Sequence, residues 1–480
     1  MYNPTGVSRT AVSLRLENKI SLTFRKCFIM LLKPVIACFI FIFCYFISFA
    51  KNFADTSGHP SWSYQSNIYE VNLRQYTGPG TFKAFEKSLP RLKKMGVEIL
   101  WFMPITPIGV TGRKNAESDM GSYYSVKDYY SVNPDYGTMQ DFIVLVKHAH
   151  ALGFKVLTDW VPNHSAPDNA WITRHPDFYK KDSLGNPAIP FDWTDTRQLN
   201  YDNRELRDTM IAVMKWWVKK TNIDGFRCDV AWNVPDDFWK ECITELHKIK
   251  DVFMLAEGEK PGLHIAGFDE TYPWSVMNVA YGIYSGKTTL KQLDSVISYN
   301  EHIYPKNAFR LYFTTNHDEN SWNGTEFERF GEDYKAFAVW AFTMKNSVPL
   351  MYSGQEEPNK TRLKFFVKDT IVWKNYALVP FYTALNKLRR SNIALAADAS
   401  FEKIHAGDEG AVYAFVRRKN GHKVLVILNF SGKEQNIIIT DASLAGNPFN
   451  LFTNKHGKIS PKIQFAMQPW GFLVYDYNAK

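Results

Sequence analysis

The sequence predicts an α/β fold: a barrel of eight parallel strands surrounded by helices, followed by a small antiparallel β domain. From Asn67 onward, short apolar segments alternate with amphipathic helical segments in units of about thirty residues, which is the pattern of a parallel sheet. After about Ala396 only short strand patterns follow. Charged and polar residues recur where the apolar segments end, and in such barrels the functional site lies at the carboxyl ends of the strands.

The individual elements follow from apolar periodicity and from the residues that begin or end helices. Strands are predicted over residues 68–71, 99–103, 155–159, 223–231, 253–257, 309–315 and 348–352. Helices are predicted over 204–221 and 236–249, and helical segments end at Gly96 and at Gly153. Thr138 with Asp141 forms a predicted capping box, Asn203 is a predicted N-cap, and Pro90 is expected to bend or restart the first helical segment.

Three regions are predicted along the chain. Residues 1–50 form a leader, residues 51–396 form the barrel, and residues 397–480 form a C-terminal β-sandwich. An excursion at about 161–200, rich in Pro, Asp, Asn and Trp, interrupts the alternation after the third strand. A long segment of this kind inside a regular fold is predicted to be a functional insertion.

Residues 1–50 have the pattern of a targeting segment. Arg25, Lys26 and Lys33 precede the almost wholly apolar run 35–49, and residues 48–50 (Ser-Phe-Ala) give a small-x-small cleavage pattern. The apolar run is shorter than the roughly 20 residues that a membrane-spanning helix needs. We therefore expect a signal peptide, with an uncleaved membrane anchor as the alternative, and an exported protein, periplasmic or extracellular, that has no membrane contact once the signal is removed.

The net charge of +9 belongs partly to the leader, which holds six Lys and Arg residues and one Glu, so that the rest of the chain carries +4. This balance gives no reason to expect a nucleic-acid partner. Of the five cysteines, only Cys228 and Cys242 lie outside the leader, on a predicted strand and the helix after it, so no disulfide is expected. The sequence indicates no particular oligomeric state.

Four acids and two histidines lie at or just after predicted strand ends. They are Asp159 and His164 after the third strand, Asp229 after the fourth, Glu257 after the fifth, and His317 and Asp318 after the strand that begins at residue 309. Each residue alone is typical of a helix cap or a turn. All six at one rim of a single barrel are more than a core needs, and they indicate a functional site.

Two carboxyl groups in different protonation states suit the hydrolysis of a glycosidic bond, because one must attack the anomeric carbon and the other must protonate the leaving oxygen. Arg227 lies two residues before Asp229, on the same side of a strand, and is predicted to keep Asp229 ionised. Glu257 follows an apolar strand, and burial together with the charge of Asp229 is predicted to raise its pKa. The two acids are one strand–helix unit apart, which places them on neighbouring strands.

Four segments together resemble the characteristic sequence regions of the α-amylase family of glycoside hydrolases (family 13). They are Asp159-Trp-Val-Pro-Asn-His164, Gly225-Phe-Arg-Cys-Asp229, Glu257 at a strand end, and Asn316-His317-Asp318, in the family's order and spacing. Residues 123–130 resemble its early loop. The resemblance runs from about Asn67 to Lys480. It implies a TIM barrel and a retaining α-glycosidase that hydrolyses the α-glucosidic bonds of starch-derived glucans or malto-oligosaccharides.

The resemblance also implies residue roles. Asp229 is the implied nucleophile, Glu257 the implied general acid and base, and Asp318 the implied third carboxylate that holds sugar hydroxyls. Implied substrate-binding residues are Tyr124, His164, Arg227 and His317, and implied supporting residues are Asp159 and Asn163. Retention requires the two catalytic carboxyl groups to lie about 5 to 5.5 Å apart.

The chain departs from typical α-amylases just after the nucleophile. Those enzymes have a Lys-His pair three and four residues later, and the His carbonyl helps to hold calcium; here the positions are Trp232 and Asn233. Asn163 matches one calcium-ligand position. The resemblance therefore implies no required cofactor and no complete metal site, with calcium possible. Residues 198–200 (Gln-Leu-Asn) resemble the neopullulanase and oligosaccharide-acting branch, and leave α-1,4 and α-1,6 linkages both open.

Other hypotheses stay open. A transglycosylase or isomerase of the same family, such as a glucanotransferase or trehalose synthase, would use the same carboxylates. A non-catalytic, amylase-like membrane subunit would match the leader and the barrel, but such relatives lack the three acids. A further hypothesis gives the C-terminal domain a starch-binding surface built on Trp470, Tyr413 and Phe415.

Overall fold

In the computed structural model, eight parallel strands form one sheet. They are β1 (Ile68–Val71), β2 (Ile99–Phe102), β3 (Lys155–Trp160), β4 (Gly225–Cys228), β5 (Phe253–Ala256), β6 (Glu270–Thr271), β7 (Phe309–Arg310) and β8 (Leu350–Tyr352). Each strand pairs with the next, and β8 pairs with β1. The amide of Arg310 donates to the carbonyl of Asn346 (2.7 Å) and that of Leu350 to Tyr312 (3.0 Å), so β7 and β8 are also joined and the predicted barrel closes.

The structure describes residues 58–113 and 119–479, and the predicted leader lies outside these residues. Residues 59–480 form one compact unit. Within the described ranges, no helix is both long enough and apolar enough to cross a membrane.

Helices surround the barrel, and they include those that the apolar periodicity predicts. They are α1 (Leu73–Tyr76), α2 (Phe82–Glu86), α3 (Leu89–Lys94), α4 (Met139–Ala151), α5 (Trp171–Arg174), α6 (Arg204–Thr221), α7 (Asp236–His247), α8 (Pro261–Ile265), α9 (Trp274–Tyr284), α10 (Leu290–Ile303), α11 (Glu326–Phe330), α12 (Tyr334–Thr343) and α13 (Val379–Ser391). The capping box of Thr138 and Asp141 and the N-cap Asn203 are confirmed. Pro90 lies in the first turn of α3, where a missing N–H costs nothing, so the first helical segment restarts there.

The sequence missed β6 and overestimated β7. The predicted strand 309–315 has a ladder only over Phe309–Arg310, because its partner β6 is itself two residues long. Glu270 is an unusual strand residue, since its carboxyl is buried and accepts from the amide of Val348 (2.8 Å). A buried acid in so short a segment gives no apolar pattern, and the segment is therefore invisible to periodicity.

The insertion and the C-terminal region follow the predicted order. In the insertion, His164–Ser165 pairs antiparallel with Arg197–Gln198. The C-terminal strands are β9 (Ser400–Lys403), β10 (Val412–Lys419), β11 (His422–Asn429), β12 (Gln435–Ile439), β13 (Phe449–Asn450), β14 (Lys455–His456), β15 (Ile463–Met467) and β16 (Phe472–Asp476). They form a six-stranded antiparallel sheet and a separate pair, β12 with β15.

The aromatic residues suggested for starch binding are packing residues. Tyr413 and Phe415 are buried on β10. Trp470 is half-buried, with its ring 5.0 Å from Tyr284 and 5.9 Å from Phe337 of the barrel helices. These three rings therefore offer no surface for starch.

Arg417 joins the C-terminal sheet to the barrel, and its removal is expected to destabilise the protein. Its buried guanidinium donates to the carbonyls of Thr343 (2.6 Å), Ala396 (2.7 Å) and Ser400 (3.0 Å). Arg417→Met leaves these acceptors without donors and should lower the free energy of unfolding by about 3 kcal/mol. The control Arg418→Met, at a partly exposed neighbour, should change it by no more than about 0.5 kcal/mol. Equal shifts in urea unfolding midpoint for the two variants would contradict this role.

Candidate active site

Arg227 is the centre of the polar cluster at the carboxyl ends of β3, β4 and β5. Its guanidinium is completely buried, and Nη1 donates to Oδ1 of Asp159 (2.9 Å) and Oδ1 of Asp229 (2.9 Å). Nη2 lies 3.2 Å from Oε2 of Glu257. The parallel register, which pairs residue 159 with residue 227, brings these side chains together as the rule for strand ends predicts.

The backbone fixes the two predicted catalytic acids where their strands stop. The amide of Asp229 donates to the carbonyl of Trp160 (2.7 Å), and that of Glu257 donates to Cys228 (2.9 Å). The side chains keep some exposure, 9% for Asp229 and 19% for Glu257. Both carboxyl groups are therefore held by the barrel and still reach the rim.

A left-handed residue follows the predicted nucleophile. Val230 has φ 45° and ψ 37°, a conformation that a β-branched residue adopts only when its surroundings impose it. The turn directs its amide to Oε2 of Glu257 at 2.7 Å. One strained peptide unit therefore links the position of the nucleophile to the position of the acid.

The pKa values of the two acids are opposite to the sequence prediction. Burial and the charge of Glu257 raise the pKa of Asp229 well above its usual value, against the lowering effect of Arg227. Burial also raises the pKa of Glu257, but Arg227, the amide of Val230 and a hydrogen bond from Asp229 together bring it below its usual value. The predictions that Arg227 keeps Asp229 ionised and that Glu257 is the raised acid are therefore wrong for this arrangement. Asp229 therefore has the higher pKa of the two carboxyl groups, because Glu257 receives more donors.

His317 is held as a cation between carboxylates. Its Nδ1 donates to Oε1 of Glu70 (2.5 Å), and its Nε2 lies 2.6 Å from the hydroxyl of Tyr124 and 3.2 Å from Oδ2 of Asp318. Burial lowers the pKa of His317, but Asp318 and Glu70 raise it to about 9. Asp318, 36% exposed at its side chain, is thereby attached to the cluster while still facing outward.

Asp159 is a buried acceptor within the cluster. It accepts from Nε1 of Trp101 (3.2 Å) and from the hydroxyl of Tyr124 (3.3 Å), in addition to Arg227. Burial raises the pKa of Asp159 to about 6, against the lowering effect of Arg227. The Tyr124 ring stacks on that of His317 at 5.6 Å, so its position is fixed by contacts on both sides.

His164 and Asn163 lie beside this cluster, where the insertion begins. Asn163 donates from Nδ2 to Nδ1 of His164 (3.1 Å) and accepts at Oδ1 from Nδ2 of Asn233 (2.8 Å). His164 is buried, and burial lowers its pKa to about 4, so the ring is neutral. Its Nε2 has no hydrogen bond of normal geometry.

The sequence argument missed residues that complete the site. Glu70 is the second-last residue of β1, so it lies near a strand end and the rule that selected the other acids applies to it as well. Trp101 is a partner of Asp159 that lies in an apolar strand and gives no polar signal. Only Trp101 had no sequence signal and became visible through contacts between strands that are far apart in the sequence.

Aromatic side chains surround the rim on two sides. They are Phe191, Trp193 and Trp232 on one side, and Phe365 and Trp322 on the other. The Trp193 ring lies 5.3 Å from His164, and Phe365 lies parallel to Tyr124 at 6.3 Å. Trp232 and Trp322 are about half exposed, as is typical of rings that stack on sugars.

The donor set does not favour a metal ion at the position implied by the resemblance. Oδ1 of Asn163, the implied calcium ligand, already faces an N–H donor from Asn233 at 2.8 Å. Among the described residues, no group of three or more His, Cys, Asp and Glu side chains is arranged to hold a metal ion. Calcium through the usual site therefore does not fit these residues.

A parallel barrel with neighbouring carboxyl groups at the carboxyl ends of its strands fits the class of glycoside hydrolases that use a carboxylate pair. The family profile for the α-amylase catalytic domain matches residues 46–193 and 188–370, and that for the C-terminal domain of the α-amylase SusG matches residues 412–471. The chain belongs to the α-amylase family.

Individual relatives agree with this assignment. A noncanonic maltogenic α-amylase, AmyB from Thermotoga neapolitana, is 30% identical with a TM-score of 0.78, over 87% of this chain and 99% of that one. The α-amylase MalA of Haloarcula japonica is 28% identical over 78% of this chain, and neopullulanase 2 of Thermoactinomyces vulgaris is 25% identical over 83% of it. The aligned regions span 56% of MalA and 71% of the neopullulanase, so this chain matches little more than half the length of MalA.

Replacing Glu70 should discharge His317. Glu70→Gln removes one of the two carboxylates that raise the His317 pKa, so this pKa should fall from about 9. Titration of the histidine ring signals by NMR measures the change. Glu86→Gln removes the carboxylate that pairs with His148 on the surface and should leave His317 unaltered. An unchanged His317 pKa in the Glu70→Gln variant would contradict the proposed contribution of Glu70.

Proposed function

We propose that this protein is a retaining α-glycosidase that hydrolyses α-glucosidic bonds in starch-derived glucans or malto-oligosaccharides. The observation that carries the proposal is the arrangement of Asp229 and Glu257 around Arg227, whose Nη1 lies 2.9 Å from Oδ1 of Asp229 and whose Nη2 lies 3.2 Å from Oε2 of Glu257. Inverting enzymes keep their acids about 6.5 to 9.5 Å apart to admit a water molecule between sugar and base. Two carboxyl groups that contact the same guanidinium are close neighbours, which supports retention.

The proposed reaction uses the one proton that the pair holds. In the proposed first step this proton moves from Asp229 to its neighbour Glu257. Asp229, now a carboxylate paired with Arg227, attacks the anomeric carbon while Glu257 protonates the leaving oxygen, and a glycosyl–Asp229 ester forms. Glu257, now ionised, takes a proton from water, and the water oxygen displaces Asp229 from the sugar with a second inversion.

The cation at His317 and the exposed carboxylate of Asp318 are suited to sugar hydroxyls. Nε2 of His317 lies 3.2 Å from Oδ2 of Asp318, so the buried cation holds the exposed carboxylate of Asp318 in place as an acceptor for sugar hydroxyls. Tyr124 presents a flat ring beside both, parallel to His317. We assign these three residues to the sugar on the side of the nucleophile, with Arg227 holding the carboxylate.

A malto-oligosaccharide is the favoured substrate. The relatives include a maltogenic α-amylase and a neopullulanase, which supports short glucans with either α-1,4 or α-1,6 linkages. The half-exposed rings at the rim are consistent with stacking of successive glucose units. Export of the protein is proposed on the leader sequence alone.

Transglycosylation is the second candidate, favoured by the position of Trp232. This half-exposed ring follows the nucleophile by three residues, and its Cβ packs directly against Gly258, the residue after Glu257. Since Glu257 protonates the leaving group, Trp232 lies on the side where the leaving sugar departs and an acceptor sugar would bind. Water and sugar therefore compete at the same position.

Hydrolysis predicts that maltoheptaose in ¹⁸O-labelled water gives only shorter products, with one labelled reducing end formed for each bond broken. Mass spectrometry of the oligosaccharides measures both product length and label. A transferase would give unlabelled products longer than the substrate. Dominant unlabelled long products would replace the hydrolase proposal with the transferase.

Asp229→Asn should abolish catalysis on every α-glucan, because an amide cannot form the glycosyl ester. We expect a loss of at least about 10³-fold in kcat/KM on malto-oligosaccharides. Asp202→Asn, at an exposed position before α6, is the matched control and should retain activity. Activity of Asp229→Asn close to that of the control would refute the assignment, and an inactive wild type on starch, pullulan and malto-oligosaccharides would favour the non-catalytic alternative.

A further inference from the structure

Asn233 joins two loops that come from different strands. It ends a short 3₁₀ turn, Ala231–Asn233, that begins at the left-handed Val230 after the nucleophile. Its Nδ2 donates to Oδ1 of Asn163, 70 residues earlier, at 2.8 Å. Asn163 in turn is buried at the start of the insertion, where its carbonyl accepts from the amide of Leu199 (3.0 Å).

The contact between Asn233 and Asn163 also sets the hydrogen bond that His164 receives. Because Oδ1 of Asn163 is used by Asn233, its Nδ2 is directed to Nδ1 of His164, at 3.1 Å. A ring nitrogen that accepts a hydrogen bond carries no proton, and in a neutral imidazole the proton is then on the other nitrogen. Nδ1 of His164 is the nitrogen that accepts from Asn163, so the proton of the ring is on Nε2.

Nε2 of His164 is buried and has no hydrogen bond of normal geometry, although the backbone of Tyr124 and the carboxylate of Glu257 interact with the ring. Burying an N–H group without a good acceptor costs free energy, unless a bound ligand supplies the acceptor. A sugar hydroxyl at the cleavage position would be such an acceptor.

We infer that Asn233 is a positioning residue that replaces a metal ion: its amide joins the insertion to the loop after β4 and fixes His164 as an Nε2–H donor. A cation between these loops would need oxygen ligands directed at it, whereas here an N–H occupies the contact with Asn163. The joining of the loops does not depend on the proposed glycosidase activity, but the role of His164 as a donor to sugar rests on it.

Asn233→Asp is the sharpest test, because it exchanges the donor for an acceptor with little change of shape. The carboxylate should turn the Asn163 amide, so that Oδ1 now faces His164 and the ring proton moves to Nδ1. Two-dimensional ¹H–¹⁵N NMR of the histidine rings distinguishes the two tautomers directly. We expect Nε2–H in the wild type and Nδ1–H in the variant, and about tenfold lower kcat/KM on malto-oligosaccharides for the loss of one neutral hydrogen bond.

Calcium and the control variant complete the test. The wild-type melting temperature should be the same with excess calcium chloride and with EDTA. The control Asn420→Asp, in the exposed β10–β11 turn, should match the wild type in the tautomer of His164 and in activity. An Nδ1–H tautomer in the wild type, an unchanged tautomer in Asn233→Asp, or a melting temperature that EDTA lowers would each overturn the inference. If the wild type acts on no glucan, the proposed function fails while the tautomer and the EDTA result still decide the role of Asn233.

Discussion

The active site depends on one buried guanidinium shared by more carboxyl groups than it can neutralise. Arg227 contacts Asp159, Asp229 and Glu257, all of them largely removed from water. A second buried anion without a partner is expensive, so protons stay on the cluster at pH values where a solvated carboxyl group would have lost them. The raised pKa values of Asp159 and Asp229 are this effect. A cluster of this kind provides one carboxylate and one proton in the same place, which acid–base catalysis at a glycosidic bond requires.

The left-handed turn at Val230 positions several groups around the acids that Arg227 holds. A non-glycine residue in this region costs about 1 to 3 kcal/mol, which the surrounding fold must offset. The offset includes the hydrogen bond from Nε1 of Trp239 to the carbonyl of Ala231 (3.1 Å). In return the turn places an amide on Glu257, Trp232 beside the leaving-group side and Asn233 against the insertion. The strained conformation of one residue therefore positions Glu257, the Trp232 ring and the contact between the two loops.

Sequence reasoning was accurate where the signal is local. The helix Arg204–Thr221 was predicted to the residue, because an N-cap and an apolar stripe are both contained in the segment itself. The rim residues were found because strand ends are local features and a parallel barrel brings all of them to one face. The reasoning failed at β6, whose two residues are too few to show a period, and at Glu70, which the same rule would have selected.

The sequence by itself determined the fold class, the order of most elements and most of the acids that meet at the rim. Alternation, capping residues and strand ends carry that information within about thirty residues. The tertiary structure decided which of the two acids has the higher pKa, because the pKa values depend on how Arg227 and the amide of Val230 are divided between Asp229 and Glu257. It also decided that Asn163 meets an amide, since its partner Asn233 is 70 residues away and only the closed barrel brings the two loops together.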